Sequence, residues 1–182
     1  KSSENSRQAV YAFKGDVYSG LDADTIQDDK FEYLQKTLRI ISGYYGILRP
    51  FDKILPYRLE MGTRLENEYG NNLYKFWGDK ITNVLNDDVE DNDIVVNLAS
   101  DEYFKSINKE KLNAEIITPV FKEFKNDSYK VIAIYAKKAR GLMSRFLIER
   151  KSKNVDDIKL FNTDGYTFDG NLSTENELVF TR

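Results

Sequence analysis

The sequence predicts an α/β fold of mixed α+β character, a mixed β-sheet flanked by helices and carrying a helix-hairpin-helix-like element. Three observations predict it. Some stretches repeat apolar residues at helical spacing, and short β-prone apolar runs lie between them. Two of those runs are separated only by the turn-forming residues 125–128, so antiparallel pairing joins the alternating order of elements. Hydrophobic residues make up 41% of the 182, with 13% aromatics and three prolines, which supplies a core and argues against disorder. The length fits a single domain over 1–182.

The elements run in this order. Residues 1–8 are polar and are expected to fray or extend. Ala9 to Phe13 is apolar and β-prone, and Asp22 to Asp29 is rich in turn and cap residues. Phe31, Leu34, Leu38 and Ile41 fall on one helical stripe, which predicts a helix over 28–41. Residues 42–46, with Gly43 and Gly46, interrupt it, and Pro50 and Pro56 limit regular structure beyond the turn. Tyr57 to Met61 alternates as a short strand does. Leu73, Phe76, Trp77, Ile81, Val84 and Leu85 share a stripe, so 72–85 reads as a helix. Ile94 to Leu98 is a buried-strand run, and Ser100 is placed to cap a short helix over 101–107. The runs 116–124 and 129–135 form the hairpin, 139–150 and 155–161 read as helices, and 166–168 and 178–181 close the chain as strands.

Two absent residue types exclude much chemistry. With no Cys there is no disulfide, thiolate nucleophile or Cys-ligated metal, and with no His there is no Ser–His–Asp triad or imidazole base. Catalysis would fall to carboxylates, Lys, Tyr, Arg, hydroxyls or backbone, and a metal would need hard oxygen ligands. Neither a metal nor an organic cofactor is expected. No apolar run approaches the roughly 18 residues of a membrane span, so no membrane partner is expected. The lack of Cys fits a cytoplasmic protein.

Charge is distributed unevenly. The chain has a formal net charge of −3, yet residues 130–153 hold eight Lys or Arg against one Glu. Gathering one sign in one place costs self-repulsion and points to a partner of the opposite sign. On a helical wheel over 137–147, Ala139, Leu142, Met143, Phe146 and Leu147 share one side. Lys137, Lys138, Arg140, Gly141, Ser144 and Arg145 share the other. A strand ending at Tyr135 would bring the start of this helix to a sheet edge, and Gly141 would let a phosphate backbone approach. A solvated helix face is the plain alternative.

Other candidates are weaker. Gly43 and Gly46, flanked by Arg39 and Arg49, suit a tight turn between helices whose amides meet a DNA phosphate, or a glycine-broken helix in the core. Arg58 and Glu60 alternate with Leu59 and Met61, which suits phosphate orientation or a plain ion pair; Arg64 comes next. Lys14 and the segment from Asn97 to Lys105 lie just after apolar runs, where α/β sheets place ligands. Asp16, Glu60, Asp101 and Glu102 are a remote choice for a carboxylate cluster. An enzyme acting on a nucleotide or another phosphorylated small molecule is the rival reading, with Lys14, Tyr103 or Tyr135 moving protons.

Six strings then stand together: AFKGDVY at 12–18, LRIISGYYGILRP at 38–50, PYRLEMGTR at 56–64, NLYKFWGD at 72–79, VNLASDEYF at 96–104 and YAKKARGLMSR at 135–145. With ELVFTR at 177–182, they resemble the bacterial peroxide stress protein YaaA family, in order and over nearly the whole chain. The resemblance implies a cytoplasmic protein of the peroxide response that limits intracellular iron and the DNA damage it causes. It also implies DNA binding through a helix-hairpin-helix element, placed at 42–46, and a basic cleft, placed at Lys137, Lys138, Arg140 and Arg145. Family members start with an additional segment bearing a Ser-Pro-Ala-Lys-Thr-like motif, so an N-terminally truncated domain is expected. Double-stranded or structured DNA is the expected partner, Lys14, Arg58, Arg64, Gly43 and Gly46 are added to its contact set, and the chain is expected to be monomeric.

Overall fold

The computed structural model describes residues 4–182. The order is β1 (Arg7–Gln8), α1 (Ala9–Ala12), α2 (Asp16–Leu21), α3 (Phe31–Thr37), β2 (Ile40–Ser42), β3 (Gly46–Leu48), β4 (Lys53–Ile54), α4 (Leu73–Trp77), α5 (Lys80–Asp88) and β5 (Ile94–Val96). It continues with α6 (Asp101–Phe104), β6 (Glu115–Lys125), β7 (Ser128–Lys130), α7 (Ala133–Arg150), α8 (Val155–Lys159), β8 (Thr167–Phe168) and β9 (Glu177–Thr181). The mixed α/β class is as expected. Backbone contacts gather into two compact units. One takes the chain up to Ala12 with Gln35–Asp93 and Ala99–Glu115, and the other takes Phe13–Leu34, Ile94–Leu98 and Ile116–Arg182.

The second unit is built on a sheet of order β5-β6-β9-β8, with β7 hydrogen-bonded to β6 outside that path. β6 runs parallel to β9, while β8 pairs antiparallel with β9 and β7 with β6, so the sheet is mixed. Residues 126–127 form the β6–β7 loop, with φ of 53° at Asn126 and 57° at Asp127. Two positive φ angles in a two-residue loop match the right-handed twist of the flanking strands. The hairpin read in the sequence is present, but its second strand stops at Lys130. Ile117, Phe121, Leu178 and Phe180 turn inward from the strands and meet Ala139 and Met143 of α7, Ile158 of α8, Phe161 and Tyr166. Phe121 lies 5.3–5.8 Å, centroid to centroid, from Phe161, Tyr166 and Phe180, within the usual range for aromatic pairs.

α7 starts six residues before the helix expected over 139–150, because Tyr135 belongs to its first turns rather than to a strand. α2 crosses it with almost no space between backbones. A Cβ on Gly141 would stand 1.9 Å from the Val17 carbonyl oxygen, and one on Gly20 would stand 2.3 Å from that of Lys138. Gly141 and Ser144, both on the polar side of the wheel, are therefore buried.

The first unit departs further from expectation. The predicted helix over 28–41 is helical only at its centre: Asp28–Lys30 is a 3-10 turn, α3 ends at Thr37, and β2 begins at Ile40. β2 and β3 pair antiparallel, Ile40 with Leu48 and Ser42 with Gly46. The glycine turn at 42–46 thus joins two strands, not two helices. The Ser42 hydroxyl explains the turn: it accepts from the Tyr45 N–H at 2.9 Å and pairs with the Tyr57 hydroxyl at 2.6 Å. Ala9–Ala12 is a single helical turn, and 57–61 is not a strand. The helix expected over 72–85 is present but divided: the Asn72 side chain caps α4 by accepting from the Lys75 N–H, and Gly78 ends it before α5. Ser100 stands at the start of α6 without a capping side-chain bond.

Candidate nucleic-acid interface

Each predicted cation has a distinct setting. Lys137 and Lys138 lie side by side on the exposed face of α7, which has no acid in its first turn. The Lys138 ammonium is 3.8 Å from an Asp164 oxygen that is itself 2.8 Å from Arg182, a weak exposed pair for Lys138. Arg140, next on the same face, is half-buried. Lys14 is exposed just ahead of α2 in the same unit.

Arg145 and Gly141 are both engaged within the protein. The Arg145 guanidinium donates to the Asp22 carbonyl at 2.9 Å, the Thr25 hydroxyl at 2.7 Å, the Thr25 carbonyl at 3.2 Å and the Glu149 carboxylate at 2.7 Å. It also reaches the Leu21 carbonyl, so a rigid fork of donors closes the C-terminal end of α2 and is used up there. Gly141 meets a protein backbone, not a phosphate backbone.

In the other unit, Gly43 and Gly46 are buried. A Cβ on Gly43 would stand 2.5 Å from the Leu59 carbonyl oxygen, and one on Gly46, whose φ is +78°, would stand 2.8 Å from the Trp77 ring. The Trp77 indole N–H donates to the Gly43 carbonyl at 3.0 Å. Both glycines therefore serve the packing of the hairpin on its own unit. Arg58 and Arg64 are exposed. Tyr103 is half-buried, and its phenol pKa is raised by burial first and then by the charge of Glu102, which disfavours a phenolate base. Glu102 accepts from the Gly62 N–H at 2.8 Å. Among the described residues no group of three or more acidic side chains is placed to hold a metal ion.

Two ionic networks have no signature in the sequence. Asp88 receives Arg39 at 2.8 Å and Arg49 at 2.7 Å beside a cavity of about 290 Å³ also lined by Ile47, Asp52 and Val84. Burial pushes the Asp88 carboxyl up, but the hydrogen bonds and charges of the two arginines outweigh it, and its pKa is lowered. Arg182 bonds Glu123 and Asp164 at 2.8 Å each and lies over the rings of Tyr166 at 4.6 Å and Tyr135 at 5.1 Å. The buried Tyr166 hydroxyl donates to Glu123; burial first, and then that bond, raises its pKa. Neither network is local in sequence, so no spacing rule finds it. Lys125 and Lys130, exposed on the β6–β7 hairpin, did have a signal, since Lys130 opens the basic window and Lys125 lies five residues before it.

The family described as Peroxide stress protein YaaA matches residues 1–172. This chain belongs to that family. A UPF0246 protein of Aliivibrio fischeri (strain MJ11) is 56% identical over 181 residues, which is 98% of this chain and 70% of that protein. The basic helix therefore lies in a chain of the peroxide stress protein YaaA family. Among its described residues no helix is long and apolar enough to cross a membrane.

Proposed function

We propose that this YaaA-family chain binds double-stranded or structured DNA through its phosphate backbone. It acts in the cytoplasm during peroxide stress, where occupancy of DNA limits damage from iron and peroxide. The observation that carries this reading is the pair Lys137 and Lys138, exposed at consecutive positions of a helix without an acid in its first turn, on a chain that is otherwise acidic. Lys125 and Lys130 of the hairpin extend the positive surface within the same unit, with Lys14 as a further candidate. Lysines on phosphates fix position without reading bases, so binding is expected to ignore sequence.

Fluorescence anisotropy with blunt duplexes of unrelated sequence tests this. Lys137→Glu with Lys138→Glu is expected to lower affinity for all of them alike, by about tenfold or more, and to reduce the salt slope by about 2. Unimpaired binding by the double variant, or an affinity that does not change with salt, would sink the proposal.

A further inference from the structure

The tip of the β6–β7 hairpin carries an aromatic pair that the core does not use. Phe124 and Tyr129 stand directly opposite each other in the antiparallel register. Their ring centroids are 5.2 Å apart at an interplanar angle of 63°, and the residues remain 59% and 43% exposed. Cross-strand aromatic pairs stabilise hairpins, but that role does not require two large rings to be left in water. Side chains alternate along β6, so Phe124 faces away from the side on which Phe121 joins the core. Lys122 shares the Phe124 side by the same alternation, whereas Lys125 and Lys130 fall on the opposite face of the hairpin. The acids nearby are Glu123, taken by Arg182 and Tyr166, and Asp127 in the loop. Aromatic rings with a lysine on the same face suit one ligand chemistry above others: an unpaired base stacks on a ring while its phosphate meets the cation.

We infer that the β6–β7 hairpin is a stacking platform for unpaired bases of single-stranded or frayed DNA, with Phe124 and Tyr129 as the stacking rings and Lys122, on the same face, as a phosphate contact. The inference rests on the DNA-binding reading and refines it: the lysines of α7 hold duplex backbone, and the hairpin selects junctions, overhangs or gaps. Recognition is tolerant of sequence, because every base has a π-face.

The test compares a blunt duplex, the same duplex with a single-stranded overhang, and a dT16 oligonucleotide. Phe124→Leu with Tyr129→Leu keeps apolar contact across the hairpin but removes both rings. The variant is expected to lose about tenfold or more in affinity for dT16 and for the overhang, as loss of base stacking does, while binding blunt duplex as before. Phe124→Trp places an indole at the site, and addition of dT16 is expected to quench fluorescence beyond any change seen in the parent chain. Equal dT16 affinity for parent and double-leucine variant, or equal losses on dT16 and blunt duplex, overturns the platform and leaves the duplex reading intact. Parent chain that binds no DNA at all overturns both. A self-association seen by sedimentation that the double-leucine change abolishes, with dT16 binding unaltered, assigns the rings to a second copy and also overturns the inference.

Discussion

Arg145 shows how one side chain changes meaning between a sequence and a structure. On a wheel it is one of four cations on a polar face; in the fold its donors are bound to the end of α2 and to Glu149. Charge-assisted bonds of this kind are worth more than neutral ones, because removing the donor leaves carbonyls unmatched. Arg145→Ala is therefore expected to cost about 2 kcal/mol, or about 4–8 °C in Tm, and to leave the salt slope of DNA binding unchanged. Thermal melts beside anisotropy titrations separate the two outcomes, and a lost slope with an intact Tm would return Arg145 to the interface. Asp88 makes a matching case with a pH signature. Its folded pKa lies below the usual 3.8, so near that pH the unfolded chain binds more protons and stability rises with pH. The contribution is present above the unfolded value and is lost as pH falls through the lowered folded one. Asp88→Asn is expected to lower stability at neutral pH and to flatten its fall below about pH 4. Urea midpoints from pH 3 to 7 read this, and an unchanged acid limb would show that the pair of arginines is not what holds the carboxylate.

At the scale of elements, close backbone approach decides the architecture of the second unit. α2 is only six residues long, too short to be stable by itself, and it holds its place by lying against α7. The two glycines make that crossing possible, and each is where the other helix's backbone needs room. Gly141→Ala forces a Cβ to within 1.9 Å of the Val17 carbonyl oxygen, and a backbone atom cannot swing aside as a side chain does. The expected cost is about 3 kcal/mol or more, read as a fall in Tm of about 6–12 °C. A variant as stable as the parent would mean that the crossing is looser than this geometry. The hairpin elements behave differently. β2–β3 turns its glycines inward onto Leu59 and Trp77, whereas β6–β7 turns two rings outward. The sequence pointed to glycines as ligand contacts; the structure buries them against their own unit and leaves two rings exposed on another hairpin.

For the whole molecule, charge is the informative quantity. A chain of net charge −3 and pI near 5.2 is repelled by DNA at long range, so any affinity must come from a local surface. If Lys125, Lys130, Lys137 and Lys138 all meet phosphates, the logarithm of affinity against that of salt should fall with a slope of about −3.6 on duplex DNA. A slope near zero would remove the electrostatic basis of the reading, and one much steeper would require further cations, with Lys14, Lys151 and Lys153 exposed in the same unit.

The mixed α/β class, the position of the β6–β7 hairpin, the concentration of positive charge on α7 and the membership of a peroxide stress family were all legible in the chain before it folds. These are carried by local periodicity, turn-forming residues and contiguous motifs, which can be read along one dimension. Which cations remain exposed is settled only by the packing. Arg145 is engaged by residues some 120 positions away, Gly141 by the backbone of α2, and Gly46 by Trp77. Packing also makes 40–48 a strand pair, because the bond from Ser42 to Tyr57 and the placement of Trp77 outweigh the weak helical preference of 38–41. A helical wheel assumes that one side of a helix meets protein and the other meets water; α7 is packed on two sides, so only Lys137 and Lys138 keep the exposure that the pattern assigned to the whole polar face.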